Sequence, residues 1–142
     1  MKKIAMASDH AGFPLKSLLR DFLEKEKQYQ VVDLGTNSES SVDYPVFARK
    51  LAEVVAKENI FGIAICGSGI GITMAAGKTP GVRAANCTNT TMAKLSRQHN
   101  NANVLGLGAR LIGTDLAKDI TLAFLETQFE GGRHSKRVEQ IG

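Results

Sequence analysis

Short apolar runs rich in Ile, Val and Ala alternate along this chain with stretches of helical period. The runs at 3–7, 30–34, 61–66, 82–87 and 103–107 are almost continuously apolar. A strand covered on both faces has no solvent side to mark with polar residues, so this pattern predicts buried parallel strands. Between the first two runs, Leu15, Leu18, Leu19, Phe22 and Leu23 repeat at the spacing of one helix face, with Lys16, Arg20, Asp21 and Glu24 assigned to the other. A second helix is expected from about Pro45, with Phe47, Leu51, Val54 and Val55 on its apolar side. A third starts near Gly69 and is stopped by Pro80-Gly81, a fourth starts near Thr90, and a fifth buries Leu116, Ile120 and Phe124.

Strict alternation of strand and helix predicts an α/β fold: a three-layer, doubly wound, Rossmann-like parallel sheet of five strands with a C-terminal extension. No repeat, low-complexity tract or linker divides residues 1–142, so one domain is expected. In such folds ligands sit beyond the carboxyl ends of the strands. The unusual residues fall there: Ser8-Asp9-His10-Ala11-Gly12, the run from Cys66 to Gly71, and Gly108-Ala109-Arg110.

Composition narrows the function classes. The chain has no apolar run of 18 or more residues, and Met1-Lys2-Lys3 leads into a short apolar stretch interrupted by Asp9 and His10, which argues against a membrane span and a signal peptide. Two distant cysteines, Cys66 and Cys87, fit a reducing compartment, so a cytoplasmic location is expected. The net charge of +4 is dispersed, Trp is absent and Tyr occurs twice, which suits a small anionic ligand better than a nucleic acid. No cofactor motif is present and no His/Asp/Glu spacing offers a metal site, so neither a cofactor nor a metal is expected.

The densest chemical signal is Cys66-Gly67-Ser68-Gly69-Ile70-Gly71, where a strand ends and a helix begins. Its glycines let backbone N–H groups approach a ligand, and the helix start adds partial positive charge, so the loop is suited to an oxyanion. Gly71 to Gly77-Lys78-Thr79 leaves five residues where a Walker A loop needs four, the glycines miss the dinucleotide spacing, and Cys66 stands where a hydrolase elbow needs glycine. Cys66 reads either as an inert core residue or as a thiol activated beside a helix start. An ordinary thiol, with a pKa of about 8.5, is only a few per cent thiolate at neutral pH. Cys87 has no such loop and reads as packing. His10 and His99, on a strand-end loop and a helix end, are candidates for acid–base chemistry on this oxyanion loop. In Gly131-Gly132-Arg133-His134-Ser135-Lys136-Arg137, helical geometry would place Arg133 and Arg137 on one face, as a phosphate site or as a solvated basic tail. Arg110 adds a cation at the sheet edge.

Together with Asp43-Tyr44-Pro45, Ser96-Arg97-Gln98-His99-Asn100 and the stretch from Asn103 to Arg110, these motifs make the whole chain resemble the type B ribose-5-phosphate isomerases, grouped with the galactose-6-phosphate isomerase subunits. The resemblance implies that Cys66 moves the proton between C2 and C1 of the sugar and that His99 helps open the furanose ring. It implies that Asp9 and Asn100 bind sugar oxygens, Tyr44 lines the site, amides of Gly67, Ser68, Gly69, Ile70 and Gly71 stabilise the enediolate, and Ser68 relays a proton. It places the phosphate on His10, Arg110, Arg133, His134 and Arg137, with the C-terminal arginines supplied by a neighbouring subunit. A homodimer with shared sites, or a tetramer, follows from it. Ser68 stands where many relatives carry Thr, and Gly77 where Asn is frequent. Where some relatives place a Glu base, this chain has Thr73, Met74 and Ala75, which leaves Cys66 as the candidate. The expected activity is conversion of ribose 5-phosphate to ribulose 5-phosphate; isomerisation of allose or galactose 6-phosphate, or non-catalytic phosphosugar binding, are the alternatives.

Overall fold

The computed structural model describes residues 2–142. The elements run β1 (Lys3–Ser8), α1 (Phe13–Lys25), β2 (Gln30–Asp33), α2 (Tyr44–Glu58), β3 (Phe61–Cys66), α3 (Ile70–Ala76), β4 (Ala84–Asn86), α4 (Thr90–Asn100), β5 (Val104–Gly108), α5 (Thr114–Glu126) and α6 (Arg133–Ile141). The five strands form one sheet in the order β2-β1-β3-β5-β4, and every pair is parallel.

Alternation along each strand sends neighbouring side chains to opposite faces, and two cores result. On one face Ile4, Met6, Ile63, Ile65, Leu105 and Leu107 meet Leu15, Leu19 and Leu23 of α1, Ala93 of α4, and Ile120 and Phe124 of α5. On the other, Ala5, Ala7, Ala64, Cys66 and Val104 meet Ala48, Leu51 and Val55 of α2 and Ile72 and Ala76 of α3. This is the three-layer, doubly wound arrangement that the alternation predicts. The chain leaving β3 therefore turns to one face, while those leaving its neighbours β1 and β5 turn to the other. A cleft opens at such a switch point, at the carboxyl end of β3, where Cys66 is the last strand residue.

Several local expectations are corrected. Lys16, assigned to the solvent face of α1, is 1% exposed and donates through Nζ to Asp33 Oδ1 at 2.5 Å. Leu116, assigned to the core, is 38% exposed, and Ala117, Ile120, Thr121, Phe124 and Leu125 form the buried face of α5 instead. Helix α3 ends at Ala76, short of Pro80. Strand β4 is shorter than its apolar run, because Val82 N–H is engaged by Thr79 O in a turn and Arg83 N–H by Asn103 Oδ1.

The buried Lys16 makes a testable statement about stability. Burial pushes the Asp33 carboxyl up, but hydrogen bonds from Lys16 and the Gly35 N–H, with the charges of Lys16 and Arg20, outweigh it and hold the group below its ordinary value. Its contribution is thus complete above the ordinary carboxylate pKa of about 3.9 and is lost as pH falls through the lower folded value. Asp33→Asn leaves the Lys16 ammonium buried without an opposing charge, and should cost about 3 kcal/mol at neutral pH. Urea unfolding should show the gap between parent and variant narrowing on acidification. A gap that does not narrow would mean the Asp33 charge is not the stabilising element.

Candidate active site

The site is assembled from loops held by close backbone contact. Gly12 and Gly108 flank the end of β3: a Cβ on Gly12 would lie 2.4 Å from Ile65 O, and one on Gly108 would lie 2.4 Å from Ser68 O. Only glycine lets the loops after β1 and β5 press against the β3 loop this closely. Backbone bonds complete the clamp, from Asp9 N–H to Ile65 O at 3.1 Å, from Ala109 N–H to Cys66 O at 2.9 Å, and from Arg110 N–H to Gly67 O at 3.0 Å.

Within this frame Cys66 is buried, 5% exposed, and its Sγ accepts the Gly69 N–H at 3.1 Å. Gly69 has φ of +79°, and a Cβ there would meet Asn86 Oδ1 and the Leu107 carbonyl carbon, both at 2.7 Å. That left-handed residue turns the loop back so that its amide faces the sulfur. Ser68 Oγ accepts the Ile70 N–H at 3.1 Å. Thr73 anchors the loop from below by donating its hydroxyl to Gly69 O, in a space that exists because residue 106 is glycine. Neither Thr73 nor Asn86 was identified from sequence as a support; the alternate glycines of Gly106-Leu107-Gly108 were the available sign of a close backbone approach.

Other predicted residues converge on the same edge. Asp9 is buried and its Oδ1 accepts the Gly12 N–H at 2.9 Å. His10 Nδ1 accepts the Val42 N–H at 3.1 Å, which leaves Nε2 as the protonated nitrogen of the neutral ring, a donor. Tyr44 opens α2 with its ring against Gly71, where a Cβ would fall 2.6 Å from Cζ. The Arg110 guanidinium lies over Gly67, with Nη1 3.4 Å from an added Cβ.

His99, Asn100, Arg133, His134 and Arg137 gather elsewhere. His99 and Asn100 end α4, which runs back to the opposite edge of the sheet, beside the start of β3; the Arg97 guanidinium one turn earlier lies 4.4 Å from the Phe61 ring centroid. Phe61 and Cys66 are the two ends of β3, about 16 Å apart at the rise of a parallel strand. The expectation that His10 and His99 face one oxyanion loop within a single chain is therefore corrected: His10 joins Cys66, and His99 does not.

The tail also packs more than its sequence suggested. Its sequence left a solvated basic tail open, but the Glu130 N–H donates to Gln98 O at 3.1 Å and His134 is buried, its ring stacked on His99 with centroids 4.3 Å apart. His134 Nε2 points to Glu130 Oε1 at 3.6 Å. Burial, and then the nearby His99, Arg133 and Arg137, hold the His134 pKa below its ordinary value against the opposing pull of Glu130. Arg133 and Arg137 remain exposed on α6. Cys87, read as packing, is buried, and burial pushes its thiol pKa up, opposed by a hydrogen bond with Ser96. Among the described residues no helix is long and apolar enough to cross a membrane.

One sheet edge thus presents a thiol, a glycine-rich turn, a carboxylate, an imidazole donor and a guanidinium, a set that can take a proton and hold the resulting anion. Comparisons with known proteins agree with that chemistry. A model of the Ribose/Galactose Isomerase family matches residues 4–141. The chain is 49% identical over 142 residues to the ribose-5-phosphate isomerase B of Escherichia coli strain K12, covering 99% of this chain and 95% of that protein. Its fold matches the ribose-5-phosphate isomerase B of Clostridium thermocellum with a TM-score of 0.96 at 52% identity, covering 99% of this chain and 95% of that one. It matches the Mycoplasma genitalium ribose-5-phosphate isomerase B with bound ribulose-5-phosphate at a TM-score of 0.93 and 45% identity, covering 98% and 93%. On the family match and these near-full-length likenesses, the chain belongs to the ribose/galactose isomerase family, among its ribose-5-phosphate isomerase B members.

Proposed function

We propose that this protein isomerises ribose 5-phosphate and ribulose 5-phosphate in the cytoplasm, through an enediolate, with Cys66 as the base. The observation that carries the reading is the Cys66 sulfur at the carboxyl end of β3, facing the Gly69 amide, in a chain 49% identical to an isomerase of that name. The thiolate takes the C2 proton of the open-chain aldose, the electrons form the C1–C2 double bond, and negative charge collects on the oxygens. Amides of the Gly67 to Gly71 turn hold that charge, and Ser68 relays a proton from one oxygen to the other. Return of the proton from Cys66 to C1 completes the ketose. Preorganised donors at such a site are each worth roughly 10² to 10³ in rate, so the turn should matter as much as the thiol.

Ring opening needs an acid–base group, and His99 is assigned to it; yet in its own chain it stands at the far end of β3. A homodimer that sets the α4–α6 end of one subunit against the Cys66 edge of the other reconciles these placements. Each site then takes Asp9, His10, Tyr44, Cys66, Ser68 and Arg110 from one chain, and His99, Asn100, Arg133 and Arg137 from its partner. His134, buried against His99, braces that ring.

The direct test is a side-by-side assay of pentose and hexose phosphates. Ribose 5-phosphate should be turned over with the highest kcat/KM; preference for allose or galactose 6-phosphate would refute the pentose assignment, and binding without turnover of any would refute an enzyme. His99→Asn should impair turnover of cyclic ribose 5-phosphate more than that of a substrate supplied in open-chain form. Equal losses on both would remove His99 from ring opening.

A further inference from the structure

His99, Glu130 and His134 come from three segments, the end of α4, the turn after α5 and the first turn of α6, yet their ligating atoms all lie within 4.8 Å of one another. Glu130 Oε1 is 3.6 Å from His134 Nε2 and 4.0 Å from His99 Nε2. The absence of metal-ligand spacing in the sequence concealed this cluster, because His99 is distant from the Glu130/His134 pair along the chain and only the docking of α6 on α4 brings it near.

We propose that these three side chains form a binding site for a divalent transition-metal ion of the zinc class, with a fourth position open to water. Two imidazoles and one carboxylate are a donor set for such an ion, and three protein ligands leave a position free in a tetrahedron. A single carboxylate makes a poor site for calcium or magnesium, which require an oxygen-rich shell.

The backbone around the cluster is fixed. Glu130 N–H donates to Gln98 O, His134 N–H donates to Gly131 O at 3.0 Å, and the Arg97 guanidinium bridges Thr127 O at 3.1 Å to Ala102 O at 2.7 Å. Arg97 thereby ties the end of α4 to the segment that leads into Glu130. Donors about 2.1 Å from a tetrahedral ion stand about 3.4 Å apart, so the observed separations need only modest closure. The two rings are stacked and nearly parallel, 13° apart. His134 is held by burial, whereas His99 is 40% exposed at its side chain and Glu130 51%, so rotation of the His99 ring and a shift of Glu130 supply the closure. A bound ion would clamp α6 to α4. On the isomerase reading it would also occupy the His99 imidazole, making the metal an inhibitor.

Calorimetric titration of the EDTA-stripped full-length protein with Zn²⁺, without substrate, tests the site independently of turnover. One Zn²⁺ per chain is expected with a Kd tighter than about 100 μM, weakened about tenfold or more in Glu130→Gln and in His134→Gln. Glu130 is exposed, so the first variant should keep the parental fold, and its melting temperature checks this. No binding in that range, or parental affinity in Glu130→Gln, as Zn²⁺ held by Cys66 would give, overturns the proposal. Zn²⁺ should also inhibit isomerisation reversibly, and less so in Glu130→Gln. Variant-sensitive binding without inhibition upholds the metal site and counts instead against the ring-opening role of His99.

Discussion

Cys66→Ala should lower kcat for ribose 5-phosphate by about 10² to 10⁴, the range typical of a positioned acid–base group, while leaving the fold and sugar-phosphate binding nearly intact. The sulfur is poised by contacts that do not depend on it. The β3 loop is clamped by Gly12 and Gly108, capped by the Ala109 and Arg110 amides, and anchored by Thr73, so an alanine at 66 leaves the Gly67 to Gly71 turn in place. Loss confined to the proton-transfer step should appear in kcat, with the binding constant for ribulose 5-phosphate little changed. The check is steady-state kinetics together with direct binding and circular dichroism on the same preparation. A kcat within tenfold of the parent would remove Cys66 as the base.

Two almost inactive variants should restore each other's activity when refolded together. A Cys66→Ala chain lacks the base but keeps Arg133 and Arg137; an Arg133→Ala, Arg137→Ala chain keeps the base. If Cys66 of one subunit works with α6 of the other, a hybrid dimer holds one site with every parental residue and one site lacking both sets. Random pairing makes half the dimers hybrid, so activity should recover to roughly a quarter of parental, as two-fold symmetry requires. The position of His99 extends the prediction: Cys66→Ala mixed with His99→Asn should recover in the same way, because His99 lies at the α6 end of its own chain. Mixtures as inactive as their components, despite hybrids demonstrated by mass spectrometry, would mean that each site is built within one chain.

Much of this was already determined by the linear order of residues. Near-continuous apolar runs of strand length, separated by stretches of period 3.6, admit few arrangements other than a parallel sheet covered on both faces, and β1 and β3 fall where those runs fall. The strand-end rule then located the Asp9, Cys66 and Arg110 loops, because chain geometry alone brings them to one edge. What tertiary structure decided are relations between segments that periodicity cannot express. Lys16 carries a charge that a helical wheel assigns to solvent, yet Asp33 from β2 arrives beside it and compensates its burial. Leu116 fits the apolar repeat, but the rotation of α5 on the sheet is set by the packing of Ile120 and Phe124, which leaves it outward. His99 looked like a partner of His10 because both flank ordered elements; the direction of α4, which must return to start β5, puts it at the other end. Its meeting with Glu130 and His134 depends on how α6 docks, a matter of side-chain packing at a distance along the chain, where no local spacing rule reaches.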